Sequence, residues 1–139
     1  MTSMSQPVIS RADAAACLAA AEKHAAELGI PVSVAVVDSA GTLKAFARAD
    51  GASLLSVAVS QRKAYTAAAI GVATDALYEA FHSDPALLML IGGQPGLALI
   101  GGGVPIHEST HLIGAVGAAG GSKEQDAEIA AAGAAALST

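Results

Sequence analysis

Cysteine, aromatic and charged residues are all scarce in this 139-residue chain, which has one cysteine, no tryptophan, two tyrosines and two phenylalanines. The single cysteine, Cys17, excludes an internal disulfide framework and any zinc or redox site of the CxxC type. Charged residues make up 14% of the chain, against about a quarter in ordinary globular proteins. Because 53% of the residues are hydrophobic, there is little polar material to cover a monomer, and the composition predicts an extensive subunit interface.

Basic residues are in especially short supply. Seven lysines and arginines stand against twelve aspartates and glutamates, which gives a formal net charge of -5. A nucleic-acid binder needs a basic surface to neutralise phosphates. A role in binding DNA or RNA is therefore disfavoured.

The long uncharged stretch 85–106 raises the question of a membrane span. It contains six glycines and two internal prolines, Pro95 and Pro105, which would leave backbone groups unpaired in lipid. We therefore expect no transmembrane helix. The N-terminus also lacks the cationic and apolar segments of a secretory signal, so the sequence predicts a cytoplasmic location.

The length predicts a single domain, which we place at 10–139 after a tail at 1–9. Cap residues, apolar periodicity and β-branched runs predict the order helix, two strands, two or three helices, two or three strands and a final helix. Short turns join neighbouring strands, which favours an antiparallel pairing. The fold class is therefore α+β, an antiparallel sheet of about five strands with helices packed on it. The predicted elements are a helix from Ser10 to Gly29, strands at 32–37 and 42–48, a helix at 53–71, short helices after Thr74 and Ser83, strands at 97–100, 104–107 and 111–118, and a helix from Ser122.

Two histidines, His107 and His111, offer the sharpest local chemistry. We expect them to face each other across the hairpin of the last two strands, where opposed Cβ atoms lie about 5 Å apart. Two imidazoles at that spacing, with Glu108 beside them, could share a metal ion, an anion or a proton-transfer task. The alternative is a solvated turn that contains histidines, and two histidines without a third ligand are a weak metal signal.

Lys63 lies on the predicted helix at 53–71, where Ser56, Ser60 and Lys63 share one stripe. A cation held against an apolar helix face could bind a carboxylate or, if desolvated, act as a base. Arg48, at the end of the second strand, could also hold a carboxylate. The ordinary alternative for Lys63 is an ammonium group that reaches out to solvent.

The segment 117–122 leads from a strand to a helix N-terminus and contains three glycines. Free backbone N–H groups at such a place could hold a phosphate or a carboxylate. The segment is neither a GxGxxG motif nor a P-loop, because Lys123 is followed by Glu124. An ordinary tight turn is the simpler alternative.

Several blocks of this sequence, in order, resemble the GlcG/HbpS-like family of haem-degrading (DUF336) domains, which also includes the C-terminal domain of PduO-type corrinoid proteins. The resemblance runs from about residue 10 to residue 137. The blocks that carry it are GIPVSVAVVD at 29–38, RADGA at 48–52, Ser56, Lys63 and Ala64, Thr66 and Ala67, GGGVPI at 101–106, IGAVG at 113–117 and GGSKEQD at 120–126.

This resemblance implies a profilin-like fold, dimers that assemble into tetramers to octamers, and haem binding or degradation in some members. Together with the residue chemistry, it predicts a ligand site between the helix at 53–71 and the second hairpin, completed by another subunit of a homo-oligomer. The candidate catalytic residues are His107, His111 and Lys63, with both histidines also candidate metal ligands. The candidate ligand-binding residues are Arg48, Asp50, Ser56, Glu108, Gln125 and Asp126.

Three functions stay open at this point. The first is binding of haem or a related tetrapyrrole, with His107 or His111 as the axial ligand. The second is a small-molecule enzyme, a lyase, isomerase or hydrolase, in which the same histidines act as general acid and base on a carboxylate-bearing substrate. The third is a structural or regulatory partner of another protein.

Overall fold

The computed structural model describes residues 2–137, which form a four-stranded antiparallel sheet with helices on both faces. It confirms the predicted α+β, profilin-like class. A 3₁₀ turn at Thr74–Ala76 precedes the third helix. The elements in chain order are α1 (Arg11–Leu28), β1 (Ser33–Asp38), β2 (Leu43–Arg48), α2 (Leu54–Ile70), α3 (Leu77–Phe81), α4 (Pro85–Gly92), β3 (Gly103–Glu108), β4 (His111–Ala119) and α5 (Lys123–Ala135).

The helix ends follow the capping chemistry of the sequence. The Ser10 side chain accepts a hydrogen bond from the backbone N–H of Asp13 and starts α1, and Gly29 ends that helix with a φ of 71°. At α5, Ser122 and Gln125 form a capping box, in which each side chain accepts from the other's backbone N–H. These signals fix where the long helices begin and end.

The sheet order is β2-β1-β4-β3, with β1 and β4 in the centre. Alternate residues of β1 point to opposite faces, so Val34 and Val36 pack in the core beneath α1 and α5, whereas Ala35 and Val37 pack against α2. Because helices cover both faces, five consecutive β1 residues are buried, where a one-sided sheet would show alternation. This explains why the first strand is a continuous apolar run.

Helix α2 lies unusually close to the sheet because the residues between them are small. A Cβ atom at Gly117 of β4 would overlap the carbonyl oxygen of Ser60, and one at Gly103 of β3 would overlap that of Lys63. Ala64, Ala67 and other small α2 side chains fill the remaining gap. The alanine and glycine content of the chain thus permits a helix backbone to rest almost directly on strands.

The predicted strand at 97–100 is wrong, and the described sheet has four strands instead of about five. The backbone N–H of Ala98 donates to the side-chain oxygen of Thr66 on α2, at 2.8 Å. A side chain therefore takes the hydrogen bond that a neighbouring strand would have taken. Three glycines follow directly, at 101–103, and the chain enters β3 from there.

The predicted tail is attached to the domain at its end. Ile9 is 1% exposed and belongs to the core, and its backbone N–H donates to the carbonyl of Ile113. No helix within residues 2–137 is long and apolar enough to span a bilayer.

Candidate functional site

The hairpin of β3 and β4 carries both histidines, but the structure does not place them opposite each other. The strand register pairs Glu108 with His111 and His107 with Leu112, after a register shift at Ile106 and His107. His111 is paired with the neighbour of His107, and successive strand residues point to opposite faces, so the predicted face-to-face arrangement is wrong. Both imidazoles are exposed at the hairpin end.

His107 lines an open cleft of about 600 Å³ at the end of the sheet. One wall is apolar and comes from Ile113 of β4 with Ala136 and Leu137 after α5. The carboxylates of Asp13 and Glu108 and the hydroxyl of Ser109 make up the polar part. We call this the histidine cleft; His111 is not one of its lining residues.

A metal site at the two histidines would need further ligands. Among residues 2–137 there is no cluster of three or more His, Cys, Asp or Glu side chains placed to hold an ion. Within this part of the chain, the hairpin therefore lacks the further side chains that a bound metal ion would need. This leaves the imidazoles as exposed donors that an incoming group can reach.

Lys63 neither reaches out to solvent nor points to the hairpin end. It is 2% exposed, and its ammonium donates to the Asp126 carboxylate at 2.9 Å and to the Ala118 carbonyl at 3.0 Å. The other oxygen of Asp126 accepts from the backbone N–H of Gly121 at 2.8 Å. A buried ion pair is tolerated only when both charges are hydrogen-bonded in this way.

Lys63 and Asp126 lie at the base of a second opening, a pocket of about 260 Å³ that we call the lysine pocket. Ser56 also lines it; its hydroxyl donates to the Ser53 carbonyl at 2.6 Å and lies 2.8 Å from the hydroxyl of Ser33. Its single proton is used on Ser53, so Ser33 must be the donor to Ser56. The complete lining is Ser53, Leu55, Ser56, Val59, Lys63, Ile100, Ala119, Gly120, Gly121, Lys123 and Asp126.

The expected convergence of Lys63 with the two histidines does not occur within this chain. The Lys63 carbonyl lies against Gly103 at the start of β3, whereas His107 lies near the end of that strand. Four residues of strand at about 3.3 Å each separate the two places by about 13 Å. The single predicted site is therefore two separate places, the histidine cleft and the lysine pocket.

The remaining candidates are distributed between these two places and the surface. Glu108 lines the histidine cleft, and Ser56 and Asp126 line the lysine pocket. Gln125 lies on α5, as Asp126 does, but does not line the pocket. Its side-chain oxygen accepts a hydrogen bond from the backbone N–H of Ser122, at 2.9 Å. Arg48 is exposed at the end of β2 and Asp50 in the turn beyond it, and their part in ligand binding stays a prediction.

Sequence reasoning identified Lys63 and Asp126 separately but missed that they bind each other. The available signal was the stripe of Ser56, Ser60 and Lys63, all of which the structure buries. A lysine on a stripe of small residues that packs against a sheet needs an acceptor from another element. The first turn of α5, with Asp126, supplies it.

The family comparison agrees with this architecture. A family model described as haem degrading protein HbpS-like matches residues 9–135, and this chain belongs to that family. Among curated relatives, the corrinoid adenosyltransferase PduO of Citrobacter freundii is 38% identical over 112 residues. That match covers 80% of this chain and 33% of PduO, so the chain spans about a third of that relative.

Two solved structures are similar to the chain over almost its whole length. The DUF336 protein ORFY of Klebsiella pneumoniae superposes with a TM-score of 0.92 at 31% identity, covering 100% of this chain and 97% of that one. PduOC, solved as a complex with haem, superposes with a TM-score of 0.87 at 35% identity, covering 94% of this chain and 96% of that one. The predicted GlcG/HbpS-like relationship is confirmed.

Proposed function

We propose that this protein binds haem or a related tetrapyrrole in the histidine cleft, with His107 as an axial ligand. The observation that carries the proposal is an exposed imidazole on the rim of a cleft with an apolar wall, in a chain with the HbpS-like fold. The haem complex of the structural neighbour PduOC supports the choice of ligand.

The residues of the cleft fit such a group. Its volume of about 600 Å³ lies within the range of small-molecule and cofactor sites, roughly 300 to 1,000 Å³. Ala136 and the half-buried Leu137 can pack against the flat face of a macrocycle, while His107 supplies a nitrogen that haem iron accepts. Bound haem would supply an iron centre able to take a further ligand or an electron.

The charges around the cleft determine how the ligand would be oriented. Asp13 and Glu108 place two carboxylates beside it. Like charges repel, so we expect the propionate edge of a porphyrin to point out of the cleft into water. The apolar edge would then lie against Ile113, Ala136 and Leu137.

The enzyme alternative is less well supported by the geometry. It needs a histidine for proton transfer and a cation to hold the substrate carboxylate, with Lys63 as the leading cation. Lys63 binds Asp126 about 13 Å along the strand from His107, a distance that a small substrate does not bridge.

Haemin titration followed by absorbance tests the proposal. The wild type should shift and sharpen the Soret band and saturate at a fixed stoichiometry. His107→Ala should weaken binding by at least about tenfold, or 1.4 kcal/mol.

His111→Ala and His82→Ala are matched controls, since each removes an exposed imidazole that does not line the cleft. Both should bind haemin as the wild type does. No spectral change with the wild type would end the haem proposal. Equal loss in His111→Ala would reject the assignment of His107 alone.

A further inference from the structure

The lysine pocket has the features of a binding site, and haem bound in the histidine cleft would not occupy it. We infer that it binds a short monocarboxylate, an anion carried on a small apolar body. The inference is independent of the haem proposal, because the two places share no lining residue.

The first argument concerns the ammonium of Lys63. An ammonium has three N–H donors. Among residues 2–137, two acceptors meet it, the Asp126 carboxylate and the Ala118 carbonyl. The third N–H has no acceptor within these residues, and Lys63 lines the pocket; a buried donor is stabilised by an acceptor of opposite charge.

The second argument concerns the local field. The pocket is bordered by the first turn of α2, with Ser53 and Leu55, and by the first turn of α5, with Gly121 and Lys123. Side chains cap several N–H groups there, among them those of Ser56, Gly121 and Gln125, so the contribution of the two helix N-termini is their partial positive charge. Two lysines against one aspartate line the pocket, so the charged side chains add to the same sign.

The third argument concerns size and polarity. Leu55, Val59 and Ile100 form an apolar wall, and Leu55 is 72% exposed as it stands. The pocket volume of about 260 Å³ lies just below the range of roughly 300 to 1,000 Å³ for small-molecule sites, which suits a small ligand. A small ligand with an apolar body and one carboxylate can pack against the apolar wall and also bind the ammonium of Lys63. Inorganic phosphate can bind the ammonium but has no apolar part to pack against the wall.

Isothermal titration calorimetry on the protein in its native assembly tests this inference. Butyrate and benzoate are the probes, and butyramide is the neutral match for butyrate. Butyrate and benzoate should bind saturably, and butyramide should bind at least about tenfold more weakly.

Val59→Phe should fill the pocket from α2, where Val59 is half-buried, and weaken butyrate binding by at least about tenfold. Val57→Phe adds the same ring two residues earlier on that helix, where it does not line the pocket, and should leave binding unchanged. Far-ultraviolet circular dichroism and gel filtration check that both variants keep the fold and assembly.

Three results with the carboxylate probes would overturn the inference. These are no saturable heat with either carboxylate, equal binding of butyramide, and unchanged butyrate binding in Val59→Phe. Binding of inorganic phosphate in the absence of butyrate binding would also reject the carboxylate class. None of these results bears on haemin binding, so the two proposals fail separately.

Discussion

The ion pair of Lys63 and Asp126 is the most consequential pair of single residues in the fold. Their side chains are 3% and 4% exposed, and the bond joins α2 to α5, which pack on opposite faces of the sheet. Desolvation of two charges offsets much of their attraction, so the pair adds little net stability. Loss of one partner is different, because the other charge would stay buried and unpaired.

We therefore predict opposite outcomes for single and double substitution of this pair. Lys63→Met alone should lower the free energy of unfolding by about 3 to 5 kcal/mol, since Asp126 keeps its charge in a dry site. Lys63→Met combined with Asp126→Leu should recover a large part of that loss. Urea denaturation of all variants measures both effects.

The recovery in the double variant should be incomplete, because Asp126 also accepts from the Gly121 N–H. That backbone bond is worth about 1.5 to 3 kcal/mol when the acceptor is charged. If the double variant lost as much stability as Lys63→Met alone and Asp126→Leu alone lose together, the two side chains would be energetically independent, which would contradict the buried pair.

Cys17 gives the molecule a pH-dependent stability term at alkaline pH. The side chain is fully buried on α1, and burial, with a smaller contribution from the charge of Asp13, raises the pKa of the thiol from 9.0 to about 11. The folded state thus holds the thiol proton more tightly than the unfolded state does. The corresponding stability is fully present below pH 9 and is lost as the pH rises toward 11.

A shift of two pKa units corresponds to about 3 kcal/mol at most, so we expect a loss of about 2 to 3 kcal/mol between pH 9 and pH 11. Cys17→Ala should lack this component. The measurement is urea denaturation of both proteins at pH 8, 9, 10 and 11. Parallel curves would show that the thiol does not contribute.

At the level of secondary-structure elements, the contact of α2 with β4 depends on Gly117. We predict that Gly117→Ala lowers the free energy of unfolding by about 3 kcal/mol, the upper end for overpacking, because the new Cβ meets the backbone of α2. Thermal and urea unfolding measure the change.

Gly92→Ala is the matched control for this substitution. Gly92 lies at the end of α4 with nothing within 4 Å of a Cβ, so alanine should be neutral or slightly stabilising there. Equal effects at the two positions would mean that α2 can move away from the sheet at little cost.

The elements themselves were largely predictable from the sequence, because their signals are local. Ser10 with Gly29, and Ser122 with Gln125, mark helix ends through bonds that span three or four residues. The error at 97–100 arose where a distant residue decided the outcome. Thr66, more than thirty positions away, takes the Ala98 N–H, and no local pattern reports such a partner.

The candidate site was less predictable than the fold for the same reason. The chemistry of His107, Lys63 and Asp126 was visible in the sequence, but their grouping depends on strand register and on which elements meet. The hairpin register pairs His111 with Glu108 and not with His107, which puts the two imidazoles on opposite faces. Because α5 packs against β4, Asp126 lies beside Lys63. The lysine binds that carboxylate and does not reach the hairpin end.

At the level of the whole molecule, the scarcity of charged residues predicts self-association, and α4 presents an exposed apolar surface that could form the interface. None of the residues of α4 is buried, although the helix reads PALLMLIG. Met89 is 78% exposed and Leu90 60% exposed. An apolar helix with no buried residue indicates a surface that another molecule covers, and a second copy of this chain is the partner that the composition favours.

We therefore predict that the protein is a homo-oligomer and that α4 lies in its interface. Met89→Glu combined with Leu90→Glu should shift the mass in multi-angle light scattering from a multiple of 13.5 kDa toward the monomer, because each charge would be buried without a partner. Met4→Glu, at a residue 93% exposed near the N-terminus, should leave the mass unchanged. A wild type that elutes as a monomer would contradict self-association, and a double variant with the wild-type mass would exclude α4 from the interface.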